Sequence, residues 1–205
     1  MAADKGALIA WLKAKADLVV TNVSDRADLE DRFAVASRLD AAHFAAETID
    51  IAKVIGQSCR TPSLYRDLAD LSAIDDAETV KAASVLSAIA LSLSVGRIAW
   101  VSRPSARRAR QMLIDMADSA YAVTSGLGPD LHSWLIALSG VAIRLISEIS
   151  ADMTPVVTVQ SGVSLPSTVL AYRLYGDARR ASGLVDLAGA GTPFIMPVEF
   201  EALAS

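Results

Sequence analysis

Few residues of this 205-residue chain are of the kinds that do chemistry. The histidines are His43 and His132, and the one cysteine is Cys59. The histidines fall in different predicted helices with no carboxylate at metal-ligand spacing. A metal centre needs three or four converging groups, so both read as ordinary structural histidines. Cys59 sits in a predicted loop. A nucleophilic cysteine needs a thiolate-stabilising partner, and none is identifiable; a lone cysteine also forms no internal disulfide. Serines are abundant, yet no Gly-x-Ser-x-Gly elbow occurs. Thr124-Ser125-Gly126-Leu127-Gly128 lacks the lysine and the spacing of a phosphate loop, and Gly189-Ala190-Gly191 runs into Thr192-Pro193 instead of opening a helix. Two carboxylate groups, Asp25, Asp28, Glu30, Asp31 and Asp67, Asp70, Asp75, Asp76, Glu78, accompany helix starts and wet faces. Acid–base pairs must sit in a cleft with separated pKa values; capping and solubility explain these clusters. The residue types predict no catalytic group, no cofactor and no metal.

The strongest electrostatic feature is a basic group, Arg103, Arg107, Arg108 and Arg110. It suits DNA or an acidic patch on a partner, and equally a solvated helix face. The net charge of −4 argues against a general nucleic-acid grip, which needs a basic surface to displace counterions, and no aromatics are interleaved. A solvated face or a protein contact is therefore favoured over DNA, which stays possible. Arg179 and Arg180 form a smaller pair. Tyr172 and Tyr175 could stack on sugar, but three residues apart on one helical side they read as core packing.

The elements that position these residues are mostly Ala-rich helices. The chain is 53% hydrophobic and 20% charged, enough for a large core. A first helix runs from Lys5 to Val20, with Leu8, Trp11, Leu12, Leu18 and Val19 on its apolar side. Ser24 is an N-cap candidate with Asp25 and Asp28 following; that helix runs to about Asp40 and, after a break, through Phe44 and Ile51 to Ile55, with Gly56 ending it. Gln57 to Ser63 is a loop, and Leu64 to Leu71 a short helix. Asp75 or Asp76 caps a helix from Ala77 to about Ser102, apolar nearly all round and so central. Pro104 starts a helix to about Thr124. Asp130 caps the last long one, Leu131 to Ala151. The apolar runs Ala82–Gly96 and Leu131–Ile143 are shorter than the roughly 20 residues a span needs, so no membrane-spanning segment is expected. The start, Met1-Ala2-Ala3-Asp4-Lys5, carries no evident signal peptide. Thr154-Pro155 marks a junction.

Beyond it the pattern changes. Pro155 to Gln160 is rich in β-branched residues, and Val198-Glu199-Phe200-Glu201 alternates as a half-buried strand does, within a run from Phe194 to Leu203. Between them Pro166 suits a helix start, and Val169, Leu170, Leu174 and Tyr175 define one apolar side. Gly176 sits where a helix ends in a left-handed residue, and Asp177 can cap a second short helix through about Ala188. The expected fold is mainly α: a helical bundle over residues 1–153, then a small βααβ module over 154–205. The module is marginal in size and leans on its neighbour.

Thr168-Val169-Leu170-Ala171-Tyr172-Arg173-Leu174-Tyr175-Gly176-Asp177-Ala178, followed by Pro193-Phe194-Ile195 and a terminal apolar strand, resembles the C-terminal end of the Mu-like phage DNA circularisation protein family. It also resembles the LysM-like modules of phage tail connectors, with their R-x-Y-G-D turn, here Arg173-Leu174-Tyr175-Gly176-Asp177. The resemblance covers about residues 154–203. It departs where the family places an Asn and a His-Pro-Gly-Phe type turn; this chain has Gly189-Ala190-Gly191-Thr192-Pro193-Phe194. Nothing in the chain looks like the family's N-terminal domain. The resemblance implies a non-enzymatic structural protein of a virion tail, at the hub or baseplate end, assembled in the host cytoplasm. Its implied partners are other tail proteins (hub, tube or tape-measure), with a homo-oligomer or ring association. The partner interface would draw on Arg107, Arg108, Arg110, Tyr172, Arg173, Tyr175, Asp177, Arg179 and Arg180. The family name implies an alternative, DNA binding that assists genome circularisation; a LysM-type module implies another, peptidoglycan binding.

Overall fold

The computed structural model describes residues 3–153 and 155–204. Thr154, half of the expected junction, and Met1 and Ala2 lie outside the described residues. The chain is mainly helical, 71% helix, with a small two-stranded sheet near its C-terminus. It divides into two compact units, one of Met1–Ala99 with Arg107–Glu148, the other of Trp100–Ala106 with Ile149–Ser205.

The first unit is built from α1 (Lys5–Val19), α2 (Val23–Ala36), α3 (Ala41–Ser58), α4 (Pro62–Ala69), α5 (Ala77–Ser94) and most of α6 (Arg103–Thr124) and α7 (Pro129–Asp152). Caps fix the starts. Asp4 Oδ1 accepts from the backbone N–H groups of Gly6 and Ala7, and Asp76 Oδ2 accepts from Thr79 N and Thr79 Oγ1. Such bonds satisfy donors that have no partner within the helix. Several expected boundaries move. Asn22, not Ser24, caps α2. That helix stops at Ala36, and Asp40 opens α3 by accepting from Ala42 N and His43 N. Pro62 lies within the first turn of α4, where its missing N–H costs nothing. Asp130 lies in the first turn of α7 instead of capping it, and His132 N donates to Gly128 O.

Gly56 was expected to end a helix; it lies inside α3, where it lets α3 meet α5. A Cβ there would stand 2.5 Å from Ala90 O and 2.8 Å from Ala90 Cα. Ser94 Oγ bridges the contact, donating to Gly56 O and Ala90 O. α5 is buried almost throughout, with Ala83, Ser87, Ala88, Ile89 and Leu91 essentially inaccessible. It ends at Ser94, short of the expected Ser102, in a 3-10 turn Val95–Arg97 that contains Gly96. Ser102 instead belongs to the start of α6, accepting from Ser105 N and Ala106 N.

The second unit contains β1 (Val156–Gln160), α8 (Ser167–Tyr175), a 3-10 turn Ala178–Arg180, α9 (Ala181–Ala188) and β2 (Glu199–Leu203). The strands pair antiparallel, Val156 opposite Leu203 and Gln160 opposite Glu199. Leu170, Ala171, Leu184, Met196, Phe200 and Ala202 form the core. The residues 194–198 are not strand as expected. Pro197 has no N–H for a ladder, and the segment is held by Met196 N to Leu165 O and Ser161 N to Val198 O instead. Arg103 anchors the end of α7 here: Nε donates to Ser150 O, and Nη2 to Ala151 O and Met153 O. A cation on the last carbonyls of a helix meets both their unpaired acceptors and the negative end of the dipole.

Candidate interaction surfaces

Of the four arginines read together from the sequence, Arg103 is committed to the α7 carbonyls. Arg107, Arg108 and Arg110 are exposed on α6, because Ala106, Ala109, Leu113 and Ala117 take the buried side of that helix. Among the described residues none of the three enters an ion pair. They form a basic surface with its charge available to a partner.

In the second unit the tyrosines part company. Tyr175 packs against the core, and its OH accepts from Leu203 N at 2.9 Å. Arg180 lies over its ring, 4.1 Å from the centroid, a favourable cation–π distance. Tyr172, expected on the same packed side, is 65% exposed. The reason is local: Leu170, Ala171 and Leu174 face the core, and Val169 and Tyr172 fall on the outer side of α8, Val169 against expectation. Gly176 has φ +69°, ends α8, and leaves Asp177 to cap the next turn by accepting from Arg179 N. Arg173, Arg179 and Arg180 are exposed.

Sequence reasoning missed an apolar loop at the start of α8. Phe194 and Ile195 are 76% and 68% exposed. They follow Pro193, whose carbonyl accepts from Ser167 N, and precede Met196, which bonds to Leu165 and Ser164. Val163, also exposed, belongs to the facing segment. Pro197, which has no N–H to give to a strand ladder, was the available signal.

The first unit carries an exposed apolar face as well. Trp134, Ile136, Val141 and Leu145 on α7 are accessible. Two helices are long and apolar enough to cross a membrane by length and composition, Ala77–Arg97 and Pro129–Asp152. The first has 72% of its most apolar window buried, the second 28%. In the sequence the run Leu131–Ile143 stops at Arg144, but α7 continues through that residue.

The remaining chemical residues are accounted for locally. His43 Nδ1 meets Asp40 Oδ2 at 2.6 Å on the surface; bonds from the His43 backbone and ring hold the Asp40 carboxyl below its ordinary range. His132 Nδ1 meets Thr124 Oγ1 at 3.0 Å. Cys59 is fully buried at the end of α3, and that burial pushes its thiol up, away from the thiolate a nucleophile needs. Among the described residues no three His, Cys, Asp or Glu side chains gather to hold a metal. Set beside known protein families and curated proteins, the chain matches none of them.

Proposed function

We propose that this protein is a structural adaptor of a phage or prophage tail, in the hub or baseplate region, that docks through a LysM-like C-terminal module on a neighbouring tail protein. One observation carries the reading. The strand-helix-helix-strand unit has its Arg173-Leu174-Tyr175-Gly176-Asp177 turn at the helix junction, Tyr172 is exposed on the helix that leads into it, and Phe194 and Ile195 are exposed in the loop bonded to the start of that helix. Large exposed apolar side chains of this kind mark contact surfaces, and aromatic and arginine side chains dominate interface energetics. The helical unit, a bundle in this reading, supplies a second surface along α7. Arg144 and Glu148 are exposed on that helix. Charges facing hydrocarbon are costly, so a protein contact suits this face better than a lipid one.

Co-expression with hub, tube and tape-measure proteins tests the proposal. Co-purification with one of them, reduced at least tenfold by Tyr172→Ala, Phe194→Ser and Ile195→Ser together, is the expected outcome. A chain that stays monomeric and retains none of them overturns it. The unpaired arginines support a second reading, DNA handling during genome joining. Binding to DNA that weakens with salt and disappears on changing Arg107, Arg108 and Arg110 to Gln would favour it; no binding at low salt removes it.

A further inference from the structure

The first unit holds a cavity of about 360 Å³. Small-ligand sites occupy about 300–1,000 Å³, so this one lies at the lower end. Leu8 of α1, Phe44 of α3, Val85 and Leu86 of α5, and Leu127 and Leu131 around the start of α7 make its apolar wall. Thr48 adds a hydroxyl, but its Oγ1 already donates toward Phe44 O and Ala45 O. At the rim Glu78 and Lys81 neutralise each other across 2.8 Å.

Lys5 is different. Its Nζ donates to Leu39 O at 2.6 Å and lies 5.2 Å from the centroid of the Phe44 ring. Among the described residues no carboxylate pairs with it. An ammonium has three N–H donors, and one is in use. The cavity thus offers an apolar interior and, at its edge, a cation with donors to spare. A helix with its side chains is about 10–12 Å across and is too large to enter; a single hydrocarbon chain is not.

We infer that this cavity binds a singly anionic amphiphile of medium chain length, its hydrocarbon against Leu8, Phe44 and Leu86 and its head group on Lys5 Nζ. The simplest member of the class is a medium-chain carboxylate. This inference is independent of the adaptor reading.

Titration calorimetry of the full chain with hexanoate, octanoate and decanoate, each below its micelle concentration, tests it. Affinity should rise about fourfold per added methylene until the cavity is full. Octanoate should bind about tenfold tighter than 1-octanol, the difference a charge-assisted bond supplies, and Lys5→Met should erase that preference. Ala82→Phe, which fills the cavity from its wall, should abolish binding with the helical circular dichroism unchanged; Ala45→Phe, from the exposed side, serves if Ala82→Phe does not fold. Absence of binding by decanoate at millimolar concentration, affinity that ignores chain length, equal affinity for octanol, or undiminished binding in a folded filled variant each overturns the inference.

Discussion

In the first unit, helices are brought together by small residues and long apolar side chains then close the gaps. Gly56 of α3 rests on the backbone of Ala90 in α5, and Ile51, Ile55, Ile89 and Leu91 are fully buried around that contact. In the second unit no such contact exists among the described residues. A thin core of Leu170, Leu184, Met196 and Phe200 is held by a left-handed turn at Gly176, one tyrosine hydroxyl on a strand end, and a two-stranded ladder. The difference follows from size. A long helix pair spreads its burial over many side chains, whereas a unit of some 60 residues has little core to lose. The module accordingly has few fixings to share the load, and its large apolar side chains Phe194 and Ile195 remain outside.

Substitutions can break that contrast, and the largest effect belongs to the helical unit. Gly56→Val places side-chain atoms where the Ala90 backbone already stands. Overpacking of this kind costs about 1–3 kcal/mol, or more when backbone must move; the upper end or beyond is expected in urea unfolding, with Gly56→Ala nearer the middle. Phe200→Ala should cost about 3 kcal/mol at its own site, but the loss should stay local. Hydrogen exchange would show β1, β2 and α9 deprotected and the amides of α3 and α5 unchanged. Equal loss in both would mean that the two units unfold as one. Tyr175→Phe removes the acceptor for Leu203 N and should destabilise the module by about 1 kcal/mol, a difference readable in the same exchange experiment.

Smaller effects sharpen the contrast. Asp76 is held below the usual carboxylate range by its side-chain and backbone bonds from Thr79. A carboxyl depressed in the folded state stabilises at pH above its unfolded value, and that stability is lost as pH falls through the folded one. The helical unit should therefore weaken below about pH 4, and Asp76→Asn should flatten that part of the pH profile. Changing Arg107, Arg108 and Arg110 to Gln should leave stability within about 0.5 kcal/mol, as exposed unpaired side chains allow.

Sequence periodicity made the helices legible because amphipathic spacing and capping residues both survive in one dimension. The strand-helix-helix-strand order and the roles of Gly176 and Asp177 were legible for the same reason. What failed were positions whose meaning depends on a distant partner. Gly56 looks like a terminator until Ala90 is beside it. Ser102 reads as the last turn of α5 unless its own bonds to Ser105 and Ala106 are seen. Arg103 belongs with its neighbours by spacing, yet three carbonyls from residues 150 to 153 claim it. At the candidate surfaces, the exposure of Arg107, Arg108 and Arg110 followed from helical phase. The separation of Tyr172 from Tyr175 did not, since a short helix with Ala171 facing inward turns the apolar side by most of one residue. Phe194 and Ile195 read as strand because a β-rich run was counted across Pro197.

The central claim is that this chain works as a tail component. Peptide mass spectrometry on purified particles from the producing cells, with capsid and tail fractions separated, tests it most directly. The account predicts the chain in the tail fraction at a fixed ratio to a hub protein. Its recovery only from the soluble lysate, with none in either particle fraction, would contradict the account and turn attention to the arginines of α6.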